Sequence, residues 1–534
     1  MSRAAALPRT APLARWPLPA PSLLGVALAL GAWEAAARAL DGAFLLAGPV
    51  AVGAHLAQNA GLLTRALGAT LWPAAIGFAL GNLAAVALAA LAVLVPRLER
   101  TLSALALLVF CLPLVATGPI LRVLQGPGIG PQATLAALAV YYTTFVPLLV
   151  GLRAVPPAWL DLVASYGRGR WTALARVRAR AALPYLVAGL QIAAPAAVLG
   201  AMVGEFTGAE RGLGVLTIQA MRALDVEATW AVATLAAAVS VAAYAGVGWA
   251  GRRLSAGPPP AILAAPAAPG GAATPRGRAG GALRLLGVGA LALLLWGGAM
   301  EAMGLDPFFA KRPWDVWAFL VAAPEAAANR ATLAAATAAT LAVTLPGYLA
   351  GLALGAGVAA AVTLRPALAA VAMPTAVALR SVPIVTTAPL LILLVGRGPV
   401  GAVALVAVMI FFPTFVACLH GLRQAPGQVI DVFDSYASGR LQRLLLAQIP
   451  AMLPAFFASA RMAVPAAVLA ATVVEWLATG TGVGALMALS ASLSGYGMLW
   501  SATALVALVA CALYALVAAV ERAVLGRYAA EQLA

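Results

Sequence analysis

Side chains able to do chemistry are few in this chain, and the ones that stand out come in pairs. Asp161, Ser165, Tyr166, Gly169, Arg170 and Pro184 lie in one polar stretch, and Asp431, Ser435, Tyr436, Gly439, Arg440 and Pro454 repeat them 270 residues later without a gap. Both stretches sit between long apolar runs, so they must contact something other than lipid. Two readings apply: headgroup anchoring through arginine, or a docking surface presented twice. Anchoring needs only positive charge, whereas acid, Ser-Tyr, Gly-Arg and Leu-Pro keep one register here, which favours docking. Glu205 and Glu475 form a second pair, placed at the outer end of the fifth apolar run of each half. A carboxylate there serves substrate or gate, or faces water or a binding partner.

A third set, Pro113, Thr117 and Pro119 with Pro383, Thr387 and Pro389, interrupts the third run of each half. A broken helix exposes backbone groups usefully only beside a cavity, so these residues are candidates for lining a pathway. Pro195 and Pro465 fall inside the fifth runs and are expected to kink them. The three cysteines lie in apolar stretches and have no metal-ligand spacing, and His55 and His420 have no evident partners. No metal site is expected.

These residues are carried by an apolar scaffold. Of the 534 residues, 63% are hydrophobic and only 9% charged, against roughly a quarter charged in soluble domains. Runs of about 20 apolar residues recur throughout, each enough to cross a bilayer. The expected fold class is an all-α polytopic membrane protein with about twelve spans, at 22–40, 71–94, 102–124, 131–152, 183–204 and 229–250, then 283–303, 341–364, 368–395, 401–422, 453–474 and 499–520. The net charge of +16 is read as arginine in cytoplasmic loops meeting anionic lipid, with no nucleic acid as partner. The positive-inside rule places both termini and the duplicated loops in the cytoplasm.

The expected domains are a tail over 1–21, a first repeat over 22–254 with its loop at 153–184, a Pro/Gly/Ala-rich linker over 255–281, and a second repeat over 282–534 with its loop at 423–454. The repeat extends well beyond the loops: Ala69-Thr70-Leu71 matches Ala339-Thr340-Leu341, and Gly212 and Gly214 match Gly482 and Gly484. Six spans is an even number, so the halves run parallel, with a pathway expected between them.

The duplicated stretch resembles the cytoplasmic EAA loop of type I ABC importer permeases. Asp161 stands at that loop's acidic position, Gly167 at its glycine, and Ala182-Leu183-Pro184 at a proline position common in the nitrate/sulfonate/taurine branch. Neither copy has a literal Glu-Ala-Ala, and the second has Ala437 where the glycine belongs. These departures fit either unequal docking of the two halves or drift after duplication. The resemblance implies two permease units fused in tandem, coupled through both loops to two ABC ATPase subunits, as a homodimer. A periplasmic or lipid-tethered binding protein would deliver a small anion, such as a sulfonate or nitrate, or a vitamin-precursor heterocycle. The chain has no GxxxxGK[ST] phosphate loop, so no cofactor is expected on it; ATP and Mg would belong to the partner ATPase. The permease would be no enzyme, and would be a multi-pass protein of the bacterial inner membrane. The rival reading is a twelve-span secondary transporter of the major-facilitator kind, but the expected Gly-rich Asp-Arg loop between the second and third spans is only VPRLERT here.

Overall fold

The computed structural model describes residues 20–40, 46–254, 275–368, 396 and 398–528. Among them there is no strand. A helix satisfies every backbone N–H and C=O of a spanning segment internally, as lipid requires. In the first half the helices are α1 (Ala20–Ala39), α2 (Pro49–Gln58), α3 (Ala60–Leu94), α4 (Pro96–Phe110), α5 (Leu114–Gln125), α6 (Gly130–Arg153) and α7 (Pro157–Ser165). They are followed by α8 (Arg170–Phe206), α9 (Leu213–Ala223) and α10 (Val226–Leu254). The second half has α11 (Pro275–Ala302), α12 (Ala326–Leu364), α13 (Pro399–Arg423), α14 (Gly427–Ser435), α15 (Arg440–Leu477), α16 (Gly482–Ser492) and α17 (Tyr496–Tyr528). Pro49, Pro96, Pro157 and Pro399 open their helices, where a missing N–H costs no hydrogen bond.

Among the described residues, eight helices are long and apolar enough to cross a membrane: α3, α6, α8, α10, α12, α13, α15 and α17. The pair α4–α5 is apolar enough to pass together and bends by 90° at the break before Leu114, the geometry of a broken span or a re-entrant loop. α1 and α11 occupy the places expected for the first span of each half. Nearly all of the expected third span of the second half, including Pro383, Thr387 and Pro389, lies outside the described residues, as do most of the linker and the N-terminal tail.

Several boundaries differ from expectation. The second spans begin at Ala60 and Ala326 rather than at 71 and 341. The hydroxyls in these added turns are satisfied within the helix: Thr64 Oγ1 donates to Ala60 O at 2.7 Å and Thr332 Oγ1 to Ala328 O at 3.0 Å. The fifth spans begin within the duplicated stretch, at Arg170 and Arg440, and run on through Pro184, Pro195, Pro454 and Pro465. A wide π turn, at Ala173–Arg178 and again at Leu444–Gln448, precedes these prolines in both halves.

Small residues set the packing. In the first half α6 is clasped between α3 and α8, and in the second α13 is clasped between α12 and α15. A Cβ on Gly81 would lie 2.6 Å from Ala137 O, one on Gly204 2.7 Å from Gln132 Cα, and one on Gly351 2.6 Å from Ile410 Cβ. Only bare backbone lets the helices approach this closely, which matters where burial against lipid supplies no driving force. The halves then share one core, in which Val198 and Val203 of α8 join Tyr348, Leu405 and Val464 of the second half.

Candidate functional site

The two ends of the bundle carry different chemistry. At one end stand the duplicated loops. α7 and α14, nine residues each, have no fully buried side chain, only Leu160 and Val163 or Ile430 and Phe433 half-buried. Each closes on a tyrosine that projects outward, Tyr166 at 76% exposure and Tyr436 at 82%. Asp161 and Asp431 are exposed on the same short helices. Beside them is an apolar pair at i, i+3 spacing that sequence reasoning missed: Trp159 and Leu162 in the first half, Val429 and Val432 in the second, all exposed. Three-residue spacing puts both side chains on one face of a helix, and that spacing was the available signal.

The loop geometry explains the family glycine. Gly167 takes φ +68° and Ala437 takes φ +50°. Each sits after its short helix in a Schellman turn: Gly167 N donates to Ala164 O (2.9 Å) and Arg168 N to Val163 O (3.1 Å). In the second half Ala437 N donates to Asp434 O (3.0 Å) and Ser438 N to Phe433 O (2.9 Å). The alanine therefore keeps the glycine's left-handed backbone and bears the strain of its Cβ, about 1 kcal/mol. Ala437→Gly is expected to slow amide hydrogen exchange across 436–438, and Gly167→Ala to speed it across 166–168.

The remaining polar residues of the loops make local and tertiary ties. Ser165 Oγ donates to Leu162 O and Ser435 Oγ to Asp431 O, both at 2.8 Å. Gly169 and Gly439 are the N-cap residues that start α8 and α15. In the first half two arginines clamp helix C-termini, Arg170 Nη1 reaching Leu94 O of α3 at 3.4 Å and Arg178 Nη1 reaching Leu152 O of α6 at 3.1 Å, and Arg153 pairs with Glu99 in the first turn of α4. The second half instead pins its loop with an Asp434–Arg443 ion pair, at positions held by Ala164 and Ala173 in the first. Equivalent backbones are thus secured by different side chains.

At the other end Glu205 and Glu475 are 2% and 3% exposed, so they do not simply face water. Each accepts a hydrogen bond from the backbone of the glycine pair that follows: Gly214 N donates to Glu205 Oε2 (2.5 Å) and Gly484 N to Glu475 Oε2 (2.8 Å). A threonine from the second span completes each latch. Leu213 N donates to Thr70 Oγ1 (2.8 Å) and Val483 N to Thr340 Oγ1 (2.9 Å), while Thr340 Oγ1 donates to Glu475 Oε2 (3.0 Å). The latch starts α9 and α16, two short helices absent from the sequence-level expectation. The three repeated motifs were visible in the sequence; that they meet was not.

Thr117 is buried and bonds back to Pro113 O at 3.0 Å. Pro113 caps the start of α5. Pro119 does line a hollow, of about 580 Å³, where α5 meets the second half. Among the described residues no group of His, Cys, Asp and Glu is arranged to hold a metal.

Comparison with known proteins decides between the transporter readings. The sequence profile of the binding-protein-dependent transport system inner membrane component matches residues 77–256 and again 351–526. The chain belongs to that family. It is a type I ABC importer permease with two tandem units. A probable ABC transporter permease protein of Haemophilus influenzae is 30% identical over 206 residues, 39% of this chain and 84% of the relative. The formylaminopyrimidine transport permease protein ThiX of Halalkalibacterium halodurans is 29% identical over 194 residues, 36% of this chain and 78% of the relative. The riboflavin transport system permease protein RibX of Chloroflexus aurantiacus is 30% identical over 214 residues, covering 39% and 80%. The permease is therefore a transport component and a multi-pass inner-membrane protein, whose family works with ATPase subunits and a substrate-binding protein. Membership does not favour the secondary-transporter alternative.

Proposed function

We propose that the two loops are coupling surfaces for a pair of identical ATPase subunits, one loop to each. The observation that carries this reading is the exposed state of α7 and α14: two short helices with no fully buried side chain, each presenting a tyrosine and an apolar i, i+3 pair at the same register. Each helix half-buries one apolar face, through Leu160 and Val163 or Ile430 and Phe433, and the second, exposed apolar face suits a partner groove. Phe206 and Trp476, at corresponding ends of α8 and α15, line one hollow, and both helices run back from there over about 55 Å. The loops then share the opposite side of the molecule, the cytoplasmic side by the positive-inside rule, along with both termini and the linker. ATP and Mg would be held by the partner. Closure of two ATPase subunits draws the docked helices together and rocks the fused halves about the pathway between them.

The substrate assignment is a small organic or inorganic anion, such as a sulfonate or nitrate, or a vitamin-precursor heterocycle delivered by a binding protein. The loop's likeness to the nitrate/sulfonate/taurine branch supports the anion; the named cargoes of ThiX and RibX, a formylaminopyrimidine and riboflavin, support the heterocycle.

Purification of the tagged permease tests the coupling. The wild-type chain is expected to bring down an ATPase subunit. The variant with Tyr166→Ala, Tyr436→Ala, Gly169→Arg and Gly439→Arg is expected to elute as the same folded species without it. Equal recovery of ATPase with both chains would sink the docking assignment.

A further inference from the structure

The hollow beside α5 is built asymmetrically. From the first half come Pro119, Arg122, Thr207 and Gly208; from the second come Trp476, Ser492 and Tyr496. Arg122 pairs with no acidic side chain among the described residues. Its guanidinium lies over Gly208, which takes φ +114°; a Cβ there would stand 3.1 Å from Arg122 Cζ. Bare backbone thus leaves the planar cation seated beside the hollow. Across from it, Tyr496 is held by edge-to-face contacts with Phe308 and Phe309, at 5.5 and 5.3 Å between centroids. A second hollow, of about 530 Å³, adjoins the first and shares Trp476, Ala488 and Ser492 with it.

The pseudo-twofold relation makes this arrangement informative. At the 270-residue offset Arg122 corresponds to Ile392, Tyr496 to Val226 and Gly208 to Ala478. A symmetric pair of permeases would present two cations or none, and two tyrosines or none. Among the described residues that line the hollow, one cation stands on one wall and the tyrosine, with Trp476, on the other. A guanidinium fork suits a carboxylate or sulfonate bound by two parallel hydrogen bonds, and the large aromatic side chains suit a flat apolar body. The volume is that of a small-molecule site.

We infer that this hollow recognises the transported molecule, and that its ligand is a flat organic anion whose acid group meets Arg122 while its ring lies against Trp476 and Tyr496. The inference rests on the permease reading above and narrows its substrate class from two to one, an aromatic anion.

Three probes separate the contributions: benzenesulfonate, its neutral counterpart benzenesulfonamide, and the ring-less anion methanesulfonate. Binding of each is measured by equilibrium dialysis to the full chain in nanodiscs. The wild-type permease is expected to prefer benzenesulfonate over both others by about tenfold or more. Arg122→Ile, which installs the residue of the second half, is expected to abolish the preference for the charged ring over the neutral one. Trp476→Ala is expected to weaken both ring probes about tenfold and leave methanesulfonate unchanged. Unchanged benzenesulfonate binding by Arg122→Ile, equal binding of methanesulfonate and benzenesulfonate, or no binding of any probe to the wild-type chain would each overturn the inference. ATPase co-purification, followed on the same samples, keeps the two ideas apart. If the ATPase is retained but the probes show no preference, only the aromatic-anion assignment falls. If the wild-type chain brings down no ATPase, the coupling reading falls instead.

Discussion

Gly482→Ala is expected to be among the most damaging single-methyl additions in the permease, lowering stability by about 3 kcal/mol or more. Two effects add. Gly482 has φ +88°, where an L side chain costs about 1–2 kcal/mol. Its new Cβ would also fall inside the contact shell of the Glu475 carboxylate, which would have to move. Movement strands the Gly484 N–H, now directed at Glu475 Oε2, at about 1–3 kcal/mol for a buried group left unpaired, while the Thr340 hydroxyl keeps Ala336 O at 3.2 Å as an acceptor. Gly212→Ala is expected to act alike, with φ +142° and Glu205 in place of Glu475. The measurement is the melting midpoint of purified chain in detergent, which should fall by several degrees for each. Gly480→Ala is the control: its φ is +67° but nothing lies within 4 Å of the added Cβ, so strain alone remains and the loss should be clearly smaller. Equal losses at Gly480 and Gly482 would mean that the carboxylate cradle contributes nothing.

Breaking the Arg461–Glu521 pair is the second large effect. Arg461 Nε lies 2.9 Å from Glu521 Oε2, with the two side chains 13% and 12% exposed, between two spanning helices, α15 and α17. Removing either partner leaves a charge without its counterion in a poorly hydrated place, at about 3–5 kcal/mol. Arg461→Gln and Glu521→Gly are each expected to cut the yield of folded, monodisperse chain severely. The first half shows how the position works uncharged, since Gln191 and Gly251 stand at the corresponding places. The double variant Arg461→Gln/Glu521→Gly is therefore expected to recover most of the yield, the sign of coupling in a double-mutant cycle. Additive losses in the double variant would show that the pair is not a unit.

These sites differ in how far the sequence foretells them. The coupling loops were legible because a polar island in an apolar chain, repeated at a fixed offset, is a local signal. Gly167 and Ala437 show its limit: the sequence records a departure from the family glycine, while the backbone keeps one left-handed turn in both halves. The latch was half legible. Glu205, Gly212 and Gly214 and their counterparts appeared as repeated letters, and Thr70 and Thr340 as another repeat over a hundred residues away. Only packing of the second span against the fifth brings the hydroxyl to the carboxylate. Arg122 was not legible at all, because Ile392 stands at its repeat offset and the duplication therefore does not mark it.

By itself the sequence determined the helical membrane class, the tandem duplication and the position of both polar loops. Those follow from hydropathy and periodicity, which are properties of contiguous residues. The tertiary structure decided which residues face one another: the 90° turn between α4 and α5, the burial of both glutamates, and the joining of Arg122 from one half with Trp476 and Tyr496 from the other. Such meetings depend on how close glycine and alanine let the helices come, and on a distance in space that no spacing along the chain encodes.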